Sequence, residues 1–457
     1  MRASGENCRA ALPPAPLPIM LSLLRLLLLT ILAGVLFTWA KPADRDGRFE
    51  IDEVEWMTIS IQSTRQALGE VSPFDGIRAT PYRDEDGNPW KVGIHEATFG
   101  FMNPLLPKLV FGGSSLLFSH NEYDPAAFPR FAKEMRARRV ERAKLAVFPP
   151  LPAARSIVLL LASLSAALVF AVAARLGGPL AGALSFALFV LSPVVSDHAT
   201  RVRTDFFPMT FTLLALWLAL LGAKKLGGAS ERKPLLTVLG LGLLAGLAVG
   251  SKLNGALLSL MVGAWILLAW LEFRRESGSS FVRGVIVPWC VAGVATVALF
   301  ATFSPHLWPA PVENLGALLE SWDGNINFQK EQYGERLGRA DSFGEHFSLS
   351  AKAFTGDYEP LYALLGFPLG GLLVLVGSIV VALALWREEC RIDAKLVLVY
   401  LLIAGLGTAL WLPFGRNNFY LGFAPVVALL EGLAIGMPLL WWQQARGKDL
   451  SIDGVVD

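Results

Sequence analysis

The sequence predicts an all-α polytopic membrane protein, and three observations support that prediction. Hydrophobic residues make up 54% of the 457 residues and charged residues only 17%, whereas charged residues make up about a quarter of an ordinary soluble chain. Apolar runs long enough to cross a bilayer recur along the chain. Basic residues fall in every second connection between these runs. A water-soluble globule is therefore excluded, and we expect a helical bundle with about ten transmembrane helices.

The first apolar run follows residues 1–19, which are rich in Pro and Ala and which we expect to form a disordered cytoplasmic N-terminus. The run is long for the core of a signal peptide, and Thr38-Trp39-Ala40 is a poor cleavage site, so we predict a retained first transmembrane helix at 20–40. The other predicted spans are 156–174, 179–196, 206–222, 235–250, 254–271, 284–303, 361–386, 396–413 and 419–442.

The distribution of basic residues predicts the orientation of the bundle. They occupy alternate short connections, at Arg175, Lys224, Lys225, Arg232, Lys233, Arg274, Arg275, Arg283, Arg387, Arg391, Lys395, Arg446 and Lys448. Because short cytoplasmic loops are enriched in Lys and Arg, both termini are predicted to be cytoplasmic. The predicted domains are an extracytoplasmic loop at 41–155, helices 2–7 at 156–303, a second extracytoplasmic loop at 304–360, helices 8–10 at 361–442, and a cytoplasmic tail at 443–457.

A rival topology makes residues 104–118 a true span, which would move the basic stretch 130–155 into the cytoplasm. It would also place several short basic connections outside, whereas the charge rule weakens for long loops such as 41–155. We therefore predict that the helix near 105–118 lies along the membrane interface. The same is expected of an amphipathic stretch formed by Val54, Met57, Ile61 and Leu68.

No metal site and no disulfide framework are predicted. The three cysteines, Cys8, Cys290 and Cys390, show no paired spacing, and no two of the five histidines have metal-ligand spacing. No cofactor and no nucleic-acid partner follow from the sequence. The sequence leaves open whether a divalent cation assists.

An acidic pair, Asp52-Glu53, follows the first span and opens the amphipathic stretch in the first extracytoplasmic loop. The simplest structural interpretation is an acidic helix start that complements the helix dipole, which is common. A carboxylate at a membrane surface can also accept a proton from a substrate hydroxyl within hydrogen-bond reach. The position just after a span favours this second interpretation, with Asp52 and Glu53 as candidate catalytic residues.

Cations and a further candidate catalytic carboxylate gather at predicted extracytoplasmic connections. The connection 198–205 contains Arg201, Arg203 and Asp205, and charged groups so close to hydrocarbon are costly to place without a role. Arginine binds phosphate through paired hydrogen bonds, although an arginine at a helix end can equally snorkel to the interface. The other candidate phosphate or substrate ligands are Lys108, Arg155, Lys252 and Arg416. This set fits a hydroxyl nucleophile and an anionic leaving group.

Several short motifs carry a resemblance to a known family. They are Asp52-Glu53-Val54, Asn103-Pro104-Leu105-Leu106-Pro107-Lys108, Arg155 ahead of Val172-Ala173-Ala174-Arg175-Leu176-Gly177-Gly178, Arg201-Val202-Arg203-Thr204-Asp205, Ala245-Gly246-Leu247-Ala248-Val249-Gly250-Ser251-Lys252 and Arg416-Asn417-Asn418-Phe419-Tyr420. In this order, over roughly 20–442, the sequence resembles the protein O-mannosyltransferases of glycosyltransferase family 39. The aminoarabinose transferases are related and share the same GT-C architecture.

The resemblance implies a GT-C-type helical bundle that binds a polyprenyl-phosphate-linked sugar in the bilayer. It implies transfer of mannose, or of another hexose or pentose, to a hydroxyl of a protein, lipid or glycan acceptor on the extracytoplasmic face, with inversion. By the same resemblance Asp52 is the catalytic base and Asp205 is the second acidic residue. The resemblance assigns contacts with phosphate or substrate to Lys252, Arg155 and Arg416.

The sequence departs from the family at two points. Asn103 stands where the family commonly has histidine, and the loop 304–360 is too small for the β-trefoil insertion of eukaryotic protein mannosyltransferases. The second departure favours a prokaryotic-type enzyme in the bacterial cytoplasmic membrane.

Three other functions fit the sequence less well. A secondary transporter would also have about ten helices with Gly and Pro breaks, but it usually carries ionisable groups near mid-membrane. A glycan ligase or polymerase would use the same class of donor and would rely more on His306 and His346 than on Asp52. A non-catalytic scaffold would tolerate changes of Asp52 and Asp205.

Overall fold

The structure, a computed structural model, describes residues 16–40, 56–57, 60–61, 64, 105–118, 151–226, 232–304, 311–313, 315–316, 319, 327, 342–355, 361, 365–366, 368–387, 391–411 and 421–446. These residues form helices and turns, with no β-strand among them. In chain order the helices are α1 (Pro16–Ala40), α2 (Leu105–Phe118), α3 (Leu151–Leu191), α4 (Pro193–His198), α5 (Phe206–Leu226), α6 (Arg232–Val249), α7 (Ala256–Ser277), α8 (Val287–Thr302), α9 (Phe343–Thr355), α10 (Leu369–Ala384), α11 (Arg391–Trp411) and α12 (Ala424–Ala445).

The apolar character of these helices confirms the predicted fold class of an all-α polytopic membrane protein. Within the described residues, five stretches are long and apolar enough to cross a membrane: Pro152–Leu191, Phe206–Ala223, Leu253–Arg275, Val282–Thr302 and Leu421–Ala445. Shorter apolar helices include Leu23–Trp39, Leu235–Val249 and Leu369–Ala384. Each predicted span overlaps a helix or half of α3. The total of about ten spans and the domain boundaries remain predictions.

Helix α3 is a helical hairpin that contains two of the predicted spans. Gly178 has φ 79° and ψ 175°, and Pro179 follows it, so the helix cannot continue through this point. A Cβ at Gly182 would lie 2.9 Å from the carbonyl oxygen of Phe170. In a straight helix those two residues would be about 18 Å apart. The chain therefore reverses at Gly178, between the predicted spans 156–174 and 179–196.

Glycines of α6 allow this helix to pack closely against α8. Cβ atoms at Gly242 and Gly246 would meet the backbone of Ala292 and Thr296 in α8, respectively. The hydroxyl of Thr296 donates to the carbonyl of Gly242 at 3.0 Å. Both pairs advance along the two helices in the same direction, so α6 and α8 run parallel. Side chains at these glycines would force the backbones apart.

Ion pairs at one end of the bundle fix how the helices align. The Arg391 Nε and the Lys395 Nζ at the start of α11 donate to Glu272 at 2.7 and 2.6 Å. At the same end, the Arg175 Nε donates to Asp393 Oδ2 at 2.8 Å. These basic residues belong to the connections predicted to be cytoplasmic. The opposite end of the bundle holds the turns 199–205 and 250–252, which carry the candidate site.

Candidate active site

Two turns at this end of the bundle meet through an ion pair. The Lys252 Nζ donates to Asp205 Oδ1 at 2.5 Å. The turn that carries Lys252 is held at its backbone, because the amides of Ser251 and Lys252 both donate to the carbonyl of Ala248 at 3.1 Å. The side chains of Asp205 and Lys252 are 13% and 26% exposed. The pair is therefore largely withdrawn from water but remains reachable from one side.

The ionisation of Asp205 is governed by its surroundings. Burial by itself would raise the pKa of this carboxyl, but the Lys252 ammonium, its hydrogen bond and the nearby Arg203 guanidinium together hold the pKa below its usual value. The carboxyl is therefore ionised at neutral pH. A carboxylate stabilised in this way is a weak proton acceptor, and its main effect is to hold Lys252 in place.

His198 lies beside this pair at the C-terminal end of α4. Its side chain is 3% exposed, and its Nδ1 lies 2.8 Å from the carbonyl oxygen of Val194. Because a carbonyl only accepts, Nδ1 carries the proton and Nε2 is left with a lone pair. Burial, with a further contribution from Arg203, lowers the pKa of His198 to about 4 against the opposing effects of Val194, Asp197 and Asp205. The imidazole is neutral at physiological pH.

The two arginines of the connection 198–205 have different surroundings. The Arg201 Nη2 donates to Asp197 Oδ1 at 3.1 Å, one helical turn away, and both side chains are about a quarter exposed. Arg203 is only 8% exposed and acts electrostatically on His198 and Asp205. Of the two predicted phosphate ligands, Arg203 is thus the one that belongs to the buried cluster.

Helix α2, which carries Lys108, begins against the turn that carries Lys252. The first amide of α2, on Leu105, donates to the Phe303 carbonyl at 2.9 Å, and the next, on Leu106, donates to the Gly250 carbonyl at 3.4 Å. These contacts satisfy donors that a helix start leaves without partners inside the helix. Lys108 is 2% exposed, and burial lowers the pKa of its ammonium to about 7.

An aromatic contact fixes α2 against the start of α5. The rings of Phe111 and Phe207 meet edge to face with centroids 5.4 Å apart. Phe207 follows Asp205 by two residues. The helix that carries Lys108 therefore packs against the segment that carries Asp205, in addition to the turn that carries Lys252.

The segment that follows the acidic pair packs on α2. Met57 and Ile61 are buried, as expected for the apolar face of the predicted amphipathic stretch. The hydroxyl of Thr64 donates to the carbonyl of Ser60 at 2.9 Å, and a Cβ at Gly112 would collide with that carbonyl. The two segments touch through their backbones at this position.

Of the remaining predicted site residues, the structure describes only Arg155. Asp52, Glu53, Asn103 and Arg416 lie outside the described residues, and their roles stay predictions. Arg155 lies half-buried in the first turns of α3. Among the described residues, the structure brings together Asp205, Lys252 and Arg203, and helix α2, which carries Lys108, begins against the turn that carries Lys252.

Gly112 offers a direct test of the packing of α2. We expect Gly112→Ala to destabilise the protein by about 1–3 kcal/mol, because the added methyl group would overpack the contact with Ser60. Gly113→Ala is the matched control, since a Cβ there meets nothing within 4 Å. The measurement is the unfolding temperature of each purified variant in detergent. Equal unfolding temperatures for both variants would contradict the close contact.

His198 predicts an acid-sensitive contribution to stability. The unfolded state binds a proton near the ordinary imidazole pKa of 6.5, whereas the folded state resists protonation until about pH 4. Stability from this residue is therefore complete above pH 6.5 and is lost as the pH falls toward 4. The loss is on the order of 3 kcal/mol. Scanning the unfolding temperature of wild type and His198→Gln from pH 7.5 to 4.5 measures it.

The glutamine variant keeps a polar side chain that does not titrate, so its stability should fall less steeply over this range. Asp205 does not confound the comparison, because its pKa lies below the window. Parallel pH profiles for the two proteins would show that His198 is not the titrating group.

Sequence reasoning missed His198 and Asp197. The histidine shows no metal spacing with the other four, and its spacing of four residues from Val194 within a short helix carries little information. The spacing of Asp197 and Arg201, also four residues, is the stronger signal, because oppositely charged residues so placed on a helix are neighbours.

The chain was compared with known proteins. No protein-family model and no curated protein sequence matches it. Several solved structures match by fold. The oligosaccharyltransferase of Archaeoglobus fulgidus, in complex with Zn and sulfate, matches with a TM-score of 0.53 and 14% identity, over 93% of this chain and 51% of that chain.

The same archaeal enzyme, tethered to an acceptor peptide with an NVT sequon, matches with a TM-score of 0.51 and 15% identity, over 94% of this chain and 51% of that chain. ArnT from Cupriavidus metallidurans bound to undecaprenyl phosphate gives a TM-score of 0.45 and 16% identity, over 94% of this chain and 62% of that chain.

This chain therefore spans about half the length of the oligosaccharyltransferase structures it matches. At such low identity the likeness establishes the fold alone, and it confirms the predicted GT-C type of helical bundle. Membership of glycosyltransferase family 39 remains a prediction.

Proposed function

We propose that this chain is an integral membrane glycosyltransferase that moves a sugar from a polyprenyl-phosphate donor to a hydroxyl acceptor. One observation carries the proposal: the Asp205–Lys252 pair and Arg203 lie together at one end of an apolar helical bundle, where helix α2, which carries the buried Lys108, also begins. A cluster of cations at the edge of a membrane bundle fits a phosphate whose lipid tail lies in the bilayer.

The charge of the cluster suits a singly charged phosphodiester. Lys252 and Arg203 are cationic, Asp205 is anionic and His198 is neutral. These four groups thus carry one net positive charge, which matches the single negative charge of a polyprenyl-phosphate sugar. Lys108 can add a second positive charge where a phosphate restores its protonated form, since a nearby anion favours the charged ammonium.

Helices of the bundle offer apolar surface for the lipid tail. Val294 and Val297 on α8 are 70% and 64% exposed on the surface of the bundle, and Leu372 and Leu375 on α10 are similarly exposed. Such side chains are in keeping with contact with hydrocarbon rather than water. A polyprenyl chain can lie on this surface while its phosphate meets the cations.

The proposed reaction is a single displacement at the anomeric carbon. Asp52 accepts the proton of the acceptor hydroxyl, and the hydroxyl oxygen forms a bond to the anomeric carbon. The bond from that carbon to the phosphate oxygen breaks, and the polyprenyl phosphate leaves with its electron pair. Lys252, Arg203 and Lys108 stabilise the negative charge that develops on the phosphate. Attack opposite to the leaving group inverts the configuration.

The assignment of the base to Asp52 rests on the family resemblance and on its position after the first span. We also propose from the charge distribution that the site lies on the extracytoplasmic face, where nucleotide sugars do not reach. The archaeal oligosaccharyltransferase with the same fold binds sulfate, a tetrahedral anion, and an acceptor peptide. We propose a protein, lipid or glycan acceptor, and mannose or another hexose or pentose as the sugar.

The test is sugar transfer by membranes that contain the full chain. Radiolabelled polyprenyl-phosphate mannose, glucose and a pentose are supplied separately, with matched nucleotide sugars as controls. We expect transfer from one or more of the lipid-linked donors into a membrane or protein fraction and none from a nucleotide sugar in washed membranes. Absence of transfer from every lipid-linked donor would overturn the proposal.

A further inference from the structure

We infer that Lys252 takes the place that a divalent cation would occupy beside Asp205, so that sugar transfer by this chain needs no metal ion. The inference rests on the proposed function. The archaeal oligosaccharyltransferase of the same fold forms a complex with Zn, which raises the question of whether the second acidic residue of this chain is a metal ligand. The residues around Asp205 do not fit that role.

The first observation is the contact that Asp205 already makes. Its Oδ1 accepts from the Lys252 Nζ at 2.5 Å, and the carboxylate is only 13% exposed. A metal ion bound to this oxygen would have to displace the ammonium. The backbone of Lys252 is extended and is held by the Ala248 carbonyl, so the lysine is anchored in a turn and directed at the carboxylate.

The second observation is the charge around the carboxylate. Arg203 is 8% exposed and acts on Asp205 together with Lys252. A divalent ion placed at Asp205 would lie beside two other cations in a site that is screened little by water, where repulsion between like charges is strong. The carboxylate of Asp205 by itself does not offset that repulsion.

The third observation concerns the other side chains near Asp205 that could bind a metal ion. The Nδ1 of His198 is committed to the Val194 carbonyl, so only Nε2 could bind a metal. Asp197 pairs with Arg201. The part of the chain that the structure describes contains no group of three or more His, Cys, Asp and Glu side chains that could hold a metal ion.

The Lys252 ammonium can supply what the metal would supply to a phosphate donor. It has three N–H donors, and its contact with Asp205 uses one. The other two can donate to phosphate oxygens and stabilise the charge on the leaving group. Asp205 is then a positioning residue that keeps Lys252 oriented, and the pair replaces a carboxylate–metal pair.

The test measures metal binding and transfer on the purified full-length protein after treatment with EDTA. Binding is followed by electron paramagnetic resonance of added Mn²⁺ and by elemental analysis for zinc. We expect no ion to be bound in a one-to-one ratio at neutral pH, and transfer to change less than about twofold, well below the hundredfold that loss of an essential charge costs. Stoichiometric binding with loss of transfer on chelation, restored by Mn²⁺ or Zn²⁺, would overturn the inference.

Two substitutions test the role of the ammonium itself. Lys252→Met should lower metal-free transfer by at least about a hundredfold, whereas Lys252→Arg, which keeps the positive charge, should retain part of it without metal. Lys352→Met, an exposed lysine of α9, is the matched control and should behave as wild type. Full metal-free transfer by Lys252→Met would overturn the inference. If Lys252→Met does not fold, Lys252→Arg tests the inference instead. A requirement for added metal in sugar transfer by Lys252→Arg would overturn the inference.

Failure of the proposed function would look different. In that case no lipid-linked sugar would be transferred with or without metal ions. The Mn²⁺ and zinc measurements would still decide whether Lys252 keeps a metal away from Asp205, because they do not depend on transfer.

Discussion

Asp52→Asn is expected to abolish most sugar transfer, lowering the rate by at least about a hundredfold, while the protein remains folded. The reason is that asparagine is nearly the same size as aspartate but cannot accept a proton, and loss of a general base typically costs this much. The measurement is transfer from the radiolabelled polyprenyl-phosphate sugar that wild type uses, normalised to the amount of monodisperse protein in detergent.

Glu50→Gln is a suitable control for this variant. It removes a negative charge two residues before Asp52 and carries no role in the proposed chemistry, so it should transfer sugar at nearly the wild-type rate. An equal loss of sugar transfer in both variants would show that transfer depends on the negative charge of this segment and not on a general base. Unchanged transfer in Asp52→Asn would move the base to another residue and would remove the main support for the family resemblance.

The sequence predicted the helical architecture well because apolar length and charge position are local signals. Each predicted span corresponds to a helix or to half of α3, and the residues predicted for one face, such as Arg175 and Lys395, share one end of the bundle. The hairpin at Gly178 was also predicted as two spans. The positive φ of Gly178 that makes the reversal possible was not predicted from the sequence.

The candidate site was predicted residue by residue but not as an arrangement. Asp205 and Lys252 both stand out in the sequence by their unusual positions, yet their contact joins residues 47 positions apart. It depends on how α5 and α6 pack, which apolar patterns alone do not determine. The same limit applies to the helix that carries Lys108, since the contact of α2 with Gly250 is a backbone hydrogen bond of Leu106.

The unequal roles of the two arginines show a further limit of prediction from the sequence. In the sequence, Arg201 and Arg203 are equivalent candidates for phosphate binding. The structure pairs Arg201 with Asp197 on the surface and buries Arg203 beside His198 and Asp205. Burial of one and pairing of the other depend on where α4 ends, and helix ends are the features that sequence patterns locate least well.

A double-mutant cycle on Asp205 and Lys252 should separate stability from function. Asp205→Asn leaves the ammonium without its counter-charge, and Lys252→Met leaves a carboxylate that is 13% exposed without its partner. We expect each change to cost about 1–3 kcal/mol, less than for a fully buried pair. The double variant should lose less than the sum of the two, because neither group is left charged and unpaired.

Transfer should behave differently from stability in the same cycle. The double variant has regained much of its stability but still lacks the ammonium that meets the phosphate, so we expect its transfer to stay at least about a hundredfold below wild type. Unfolding temperature in detergent and transfer from the lipid-linked donor are measured on the same preparations. Recovery of transfer along with stability would mean that the pair only holds the fold together.

The Arg175–Asp393 pair provides a matched cycle at the other end of the bundle. Its atoms are 2.8 Å apart and its side chains are 27% and 12% exposed, close to the 26% and 13% of Lys252 and Asp205. Arg175→Gln, Asp393→Asn and their combination should therefore give a similar coupling in stability, because the two pairs are equally withdrawn from water. Transfer by the folded double variant should remain near wild type. Only an ion pair that contacts the donor can show coupling in stability together with an unrecovered loss of transfer.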